Sequence, residues 1–186
     1  FPLGSSTIIW TAIDNSGNSA SAIQQISIVD TTPPIIHSVP DITAEAVVPY
    51  DNIIELQEPS ADDILGVISI TNDAPEFFSI GETIVTWTTI DSSNNFSSLT
   101  QLVSVIDTTA PEILPLEDIT LEASSVDANI VNLDNPIVSD IQDVTIYIIA
   151  PDIYPVGETT VTWTATDTSG NSASATQTVT IVDTKK

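Results

Sequence analysis

One internal period governs this chain. Phe1-Pro2-Leu3-Gly4 returns as Phe78-Ser79-Ile80-Gly81 and again as Tyr154-Pro155-Val156-Gly157, and each opening leads to a tryptophan (Trp10, Trp87, Trp163) and then an aspartate (Asp14, Asp91, Asp167). The tryptophans lie 77 and then 76 residues apart. Asp30, Asp107 and Asp183 close three parallel segments, and Ile42-Thr43-Ala44-Glu45-Ala46 recurs as Ile119-Thr120-Leu121-Glu122-Ala123. Self-similarity at a fixed spacing marks an array of like units. In this register residues 31–107 and 108–186 are whole units, whereas residues 1–30 match only the last part of one. Half a unit leaves strand edges and core open. The expectation is therefore a window from a longer polypeptide, the alternative being completion by a strand from another subunit.

Within each unit the side chains alternate. Ile8, Trp10 and Ala12 share one face, as do Val85, Trp87 and Thr89, and Val161, Trp163 and Ala165, with mainly Thr and Ile opposite. This period of two, in segments rich in β-branched residues, predicts strands. Second strands are expected over 22–29, 99–106 and 175–182, reached through turn-forming residues: Asp14-Asn15-Ser16-Gly17-Asn18, Asp91-Ser92-Ser93-Asn94-Asn95 and Asp167-Thr168-Ser169-Gly170-Asn171. No segment carries a 3.6-residue apolar pattern. Short strands in units of this length predict an all-β fold of tandem antiparallel β-sandwich repeats, immunoglobulin-like or fibronectin-like in layout. The repeated tryptophans read as core between sheets, and a carbohydrate-stacking platform is the alternative.

Charge narrows the function. Lys and Arg number 2 against 26 Asp and Glu, for a formal net charge of -24, and both cations are the terminal Lys185 and Lys186. Nucleic acid is excluded as a partner, because phosphate binding runs on Lys and Arg. Carboxylates without internal partners repel one another, which favours bound or mobile cations. Cysteine is absent, which removes disulfides and thiolate zinc sites. No apolar stretch approaches the ~20 residues of a membrane span.

The boundary Asp30-Thr31-Thr32-Pro33-Pro34-Ile35 with Pro40-Asp41-Ile42-Thr43, and the later Val156-Gly157, Val161-Thr162-Trp163-Thr164-Ala165-Thr166-Asp167 and Ser169-Gly170-Asn171, resemble the hyalin repeat (HYR) domain. The resemblance covers essentially the whole chain. It implies extracellular adhesion and matrix modules in tandem, on a fold that does not by itself fix what is bound. The chain departs from the pattern at Ala110, where a proline is expected, and at Asn94, where the turn would carry glycine.

Several acids recur with the period: Asp14, Asp91 and Asp167 in the turn; Asp30, Asp107 and Asp183 at the boundary; Asp63 with Asp140; Glu45 with Glu122; Glu82 with Glu158. In an immunoglobulin-like sandwich the N-terminus, the loop between the second and third strands and the last hairpin share one pole. Asp30, the Asp62-Asp63 loop, Asp91 and Asn95 are thus expected to converge, and likewise Asp107, Asp140 or Asp143, Asp167 and Asn171. Oxygen-rich clusters of this kind suit calcium, which takes roughly 6–8 oxygen ligands. Calcium at each boundary would stiffen the array, helped by Thr-Thr-Pro-Pro linkers whose backbone is already restricted. The plainer alternative is that these aspartates only shape turns.

Other signals are fewer. Asn95-Phe96-Ser97 is an N-glycosylation sequon on an expected exposed turn. His37, the single histidine, reads as a surface or packing residue, and no phosphate loop or nucleophile triad can be assembled. The expected function is structural or adhesive and non-enzymatic: a secreted or cell-surface filament, stalk or adhesin shaft, with neighbouring repeats or like chains as partners. Alternatives are a module binding surface glycan or protein, and an accessory domain of a secreted enzyme.

Overall fold

The computed structural model describes residues 1–185; Lys186, the end of the segment 108–186, lies outside the described residues. Among the described residues fourteen strands follow one another: β1 (Gly4–Ile13), β2 (Ser19–Ile28), β3 (Ile35–Ile36), β4 (Ile42–Glu45), β5 (Ala61–Asp62), β6 (Val67–Asn72), β7 (Gly81–Asp91), β8 (Phe96–Ile106), β9 (Glu112–Ile113), β10 (Ile119–Glu122), β11 (Val138–Ser139), β12 (Val144–Ile149), β13 (Gly157–Asp167) and β14 (Ser172–Val182). No helix occurs among the described residues. The chain forms two compact units: residues 1–42, 55–75 and 83–103 in one, and residues 43–54, 76–82 and 104 onward in the other.

The second unit contains the whole of the last repeat. Its main sheet runs β10-β14-β13-β12, and a small sheet pairs β11 with β9. Pairing is antiparallel except that β10 runs parallel to β14, Ile119 opposite Val179. Along β13, Val161, Trp163 and Ala165 are buried while the threonines between them face outward, the alternation expected of a strand with one covered face. Leu116, Ile119, Val131, Leu133, Ile146 and Ile148 pack onto the cluster of Val161, Trp163, Val179, Ile181 and Tyr154. Burying an aliphatic side chain this completely stabilises by about 1.5–3 kcal/mol. Val131 and Leu133 come from an extended segment outside any ladder, so much of the second layer is irregular chain. The strands of the middle repeat follow the same order, β4-β8-β7-β6.

Each tryptophan donates its indole hydrogen to a glutamine fourteen residues on: Trp10 to Gln24, Trp87 to Gln101 and Trp163 to Gln177. Gln101 and Gln177 then donate to the backbone carbonyls of Pro40 and Glu117 at 2.7 Å. In these two repeats the relay satisfies a buried donor and ties the hairpin to the chain segment just before β4 or β10. Trp87 and Trp163 are 3% and 2% exposed, but Trp10 is 60% exposed. The expectation of core tryptophans holds for Trp87 and Trp163; Trp10 lies in the part-repeat of residues 1–30, where β1 and β2 pair only with each other among the described residues.

Buried asparagines form a second repeated device. The Asn129 carbonyl oxygen accepts from the backbone N–H of Ser124 and Ser125, and its amide donates to the carbonyls of Ser125 and Tyr154. Asn52 does the same with Val47, Val48 and Phe78. Side-chain bonds here replace a missing ladder where the chain turns.

Candidate metal centres

The turn between the long strands is built the same way three times. The backbone N–H of Asp91 donates to the Asn95 carbonyl, and a carboxylate oxygen of Asp91 accepts from the N–H of Ser93 and Asn95 at 2.8 Å each. Asp14 and Asp167 hold their own turns alike. The fourth residue must take a left-handed backbone, which Gly17 and Gly170 do at φ 86° and 92° and Asn94 does at φ 65°. Asparagine tolerates that region better than other side chains, so the departure at Asn94 leaves the turn intact.

This turn aims a carboxylate at the repeat boundary. One carboxylate oxygen from each of Asp30, Asp63 and Asp91 lies within 4.8 Å of the others, and the same holds for Asp107, Asp140 and Asp167. Asp91, Asp107 and Asp167 are buried, the other three half-buried. Asn95 donates to the other Asp91 carboxylate oxygen at 2.8 Å and to the Asp30 backbone carbonyl at 3.3 Å; Asn171 repeats this with Asp167 at 2.8 Å and Asp107 at 3.0 Å. Burial pushes the Asp91 and Asp167 carboxyls up. Bonds from Asn95 and Ser93, and from Asn171, Gly170 and Ser169, outweigh it and hold both below the ordinary carboxylate value. Both therefore stay ionised at neutral pH.

The donor set fits a hard cation. Two oxygens on one calcium ion, each at about 2.3–2.6 Å, stand no more than roughly 5 Å apart, and the observed clustering meets that limit. A second observation concerns Asp30: its Oδ1 accepts from the Thr32 N–H at 3.0 Å, whereas its Oδ2 is buried with no hydrogen-bond partner. A buried carboxylate oxygen without a donor calls for a positive charge.

The remaining expected site residues lie elsewhere. Asp62 pairs in the β3–β5 ladder opposite Ile35, and its carboxylate meets the His37 Nε2 at 2.9 Å, so it turns away from Asp63. Asp143 is exposed, next to the cluster in sequence but outside the triad. Asp14 and Asp183 hold the equivalent turn and boundary positions, but neither joins a group of three such side chains among the described residues. The sequon asparagine is half-buried, not exposed as expected: the Asn95 amide nitrogen that a glycan would occupy already serves Asp91 and Asp30.

Two contacts were not anticipated. Glu45 accepts from the Thr108 N–H and hydroxyl at 2.8 and 2.9 Å and from the Thr109 hydroxyl, and Glu122 accepts likewise from Thr184. The threonine donors hold both glutamates below their ordinary value. Recurrence of Glu45 as Glu122 was the available signal. Gln142 was the other omission. Its amide nitrogen donates to the Asp107 Oδ2 at 2.7 Å and contacts the Ser169 hydroxyl, and its oxygen meets the Thr168 hydroxyl.

The HYR domain family matches residues 29–105 and 106–181. Hyalin of Lytechinus variegatus is 36% identical over 201 aligned positions covering 98% of this chain, and hyalin of Strongylocentrotus purpuratus is 37% identical over the same share. The chain spans 38% of the first relative's length and 17% of the second's. Among solved structures, a mouse clustered protocadherin fragment, PcdhgC3 EC1-3, is similar with TM-score 0.40 and 12% identity over 97% of this chain and 78% of that one, too distant to bear on fold or function.

Proposed function

For a chain that belongs to the HYR domain family, we propose service as a segment of an extracellular, adhesion-type repeat protein whose boundaries are bridged by calcium, so that successive repeats act as a stiff filament, stalk or shaft. The observation that carries this reading is the buried, partnerless Oδ2 of Asp30 inside a three-carboxylate group whose residues recur one period later. Asp30, Asp63 and Asp91 would hold one ion; Asp107, Asp140 and Asp167 would hold the other. Bound calcium would neutralise charge that the chain cannot offset with its own cations. Neighbouring repeats, of this chain or of like chains, are the natural partners. Recurrence of the same acids at both clusters suits a structural part better than a unique active site, so no catalysis is assigned.

Thermal melting of the whole chain in calcium chloride and in a chelator tests the reading. An ion held at about 100 times its dissociation constant adds about 2.7 kcal/mol. Identical melting curves in the two buffers would remove the basis for a calcium-stiffened shaft.

A module gripping glycan or protein is the second reading. It is favoured by an open cleft of about 480 Å³ lined by Tyr50, Ile80, Asp140, Gln142, Asp143 and Thr168. Tyr50 is an exposed aromatic ring beside hydroxyl, amide and carboxylate groups. Glycan-array binding that disappears in Tyr50→Ala would support it.

A further inference from the structure

The loops that bring Asp63 and Asp140 to the two clusters open with the same hydrogen bond and then diverge, as Leu65-Gly66 in one and Gln142-Asp143 in the other. The N–H two residues after the loop aspartate donates to that aspartate's Oδ1 in both, at 2.8 Å from Leu65 to Asp63 and at 2.8 Å from Gln142 to Asp140. The side chain that follows from this N–H is apolar in the first and an amide in the second. With leucine there, Asp30 Oδ2 is left buried and without a partner. With glutamine there, Asp107 Oδ2 receives an amide hydrogen at 2.7 Å, and its Oδ1 is taken by the Thr109 N–H at 3.0 Å.

We propose that Gln142 is an internal stand-in for a cation at the Asp107, Asp140 and Asp167 cluster, so that this cluster closes without metal and binds calcium weakly, while the Asp30, Asp63 and Asp91 cluster closes only when calcium is bound. The inference rests on the calcium reading above and adds to it an order of filling.

The physical reason is competition for one oxygen. A cation entering the second cluster competes with the Gln142 amide for the charge of the Asp107 Oδ2 and disturbs the contacts that the Thr168 and Ser169 hydroxyls make to that amide. A bond between an amide and a carboxylate is stronger than one between neutral groups, and losing it opposes ion binding. At Asp30 the ion displaces no protein donor from the Oδ2. One array would thereby hold a boundary that responds to low calcium and another that stays closed in its absence.

Calorimetric titration of the whole chain with calcium chloride, alongside Gln142→Leu, Leu65→Gln, Asp30→Asn and Asp107→Asn, tests this. The expected result is two unequal sites whose dissociation constants differ by about tenfold or more. Asp30→Asn abolishes the tight one and Asp107→Asn the weak one. Gln142→Leu tightens the weak site toward the tight one and lowers the melting temperature in chelator, and Leu65→Gln weakens the tight site. Two equal sites in the unaltered chain, or weaker calcium binding in Gln142→Leu, which would make the amide a ligand, overturn the stand-in role and leave the calcium reading standing. Absence of calcium binding by every form overturns both.

Discussion

The Asn171 side-chain amide reaches the Asp107 backbone carbonyl at 3.0 Å across 64 residues of chain, while also donating to Asp167 at 2.8 Å. One asparagine thus fastens the last hairpin turn to the residue that closes the preceding repeat. Replacing it with alanine removes a bond to a buried carboxylate and strands the carbonyl. Asn171→Ala is expected to cost about 1–3 kcal/mol, read as a lower denaturation midpoint with an unchanged slope.

Neighbouring aspartates should behave differently toward calcium. Asp63→Asn removes one of three clustered oxygens' charges, whereas Asp62 is engaged by His37. The rise in melting temperature on adding calcium is expected to shrink in Asp63→Asn and to persist in Asp62→Asn; equal effects would assign the ion to the loop as a whole and not to the triad.

The buried asparagine of the last repeat offers a stability test independent of metal. Asn129→Ala leaves the N–H groups of Ser124 and Ser125 and the carbonyls of Ser125 and Tyr154 without their side-chain partner. A loss of at least about 2 kcal/mol is expected in chemical denaturation.

Tyr154 should show the reverse. Its hydroxyl is buried without a partner, and burial alone pushes its pKa up. Phe78 fills the corresponding place in the middle repeat and is equally buried. Tyr154→Phe is expected to be neutral or to stabilise by up to about 1 kcal/mol, because it deletes a stranded polar group and keeps the ring.

Acid should loosen the linkers. The carboxyls of Glu45 and Glu122 are held below their unfolded value by threonine donors in the folded chain. Groups depressed on folding contribute stability that is complete above the unfolded pKa, about 4.3, and is lost as pH falls through the depressed values. Melting temperature is therefore expected to drop below about pH 4, and Glu45→Gln to flatten that drop while lowering stability at neutral pH.

The period, the strands and the tryptophan core of the middle and last repeats were legible in the residues, because alternation and turn chemistry are local properties that the repeat states two or three times over. The same repetition pointed to Asp30, Asp91, Asp107 and Asp167, and it singled out Glu45 with Glu122 without revealing that each clamps the threonine just after a boundary aspartate, more than sixty residues away. The choice between Asp62 and Asp63 was not legible. Successive residues of an extended chain point to opposite sides, and only the β3–β5 register, Ile35 opposite Asp62, decides which of the two turns inward. Gln142 escaped for a different reason: its counterpart is Leu65, so recurrence is silent there. What the amino-acid order determined is the fold of each repeat, since hydrophobic alternation needs no distant information. Which oxygens share one small volume, and which of them is left without a donor, was decided by packing that brings residues 30, 63 and 91, and 107, 140 and 167, together.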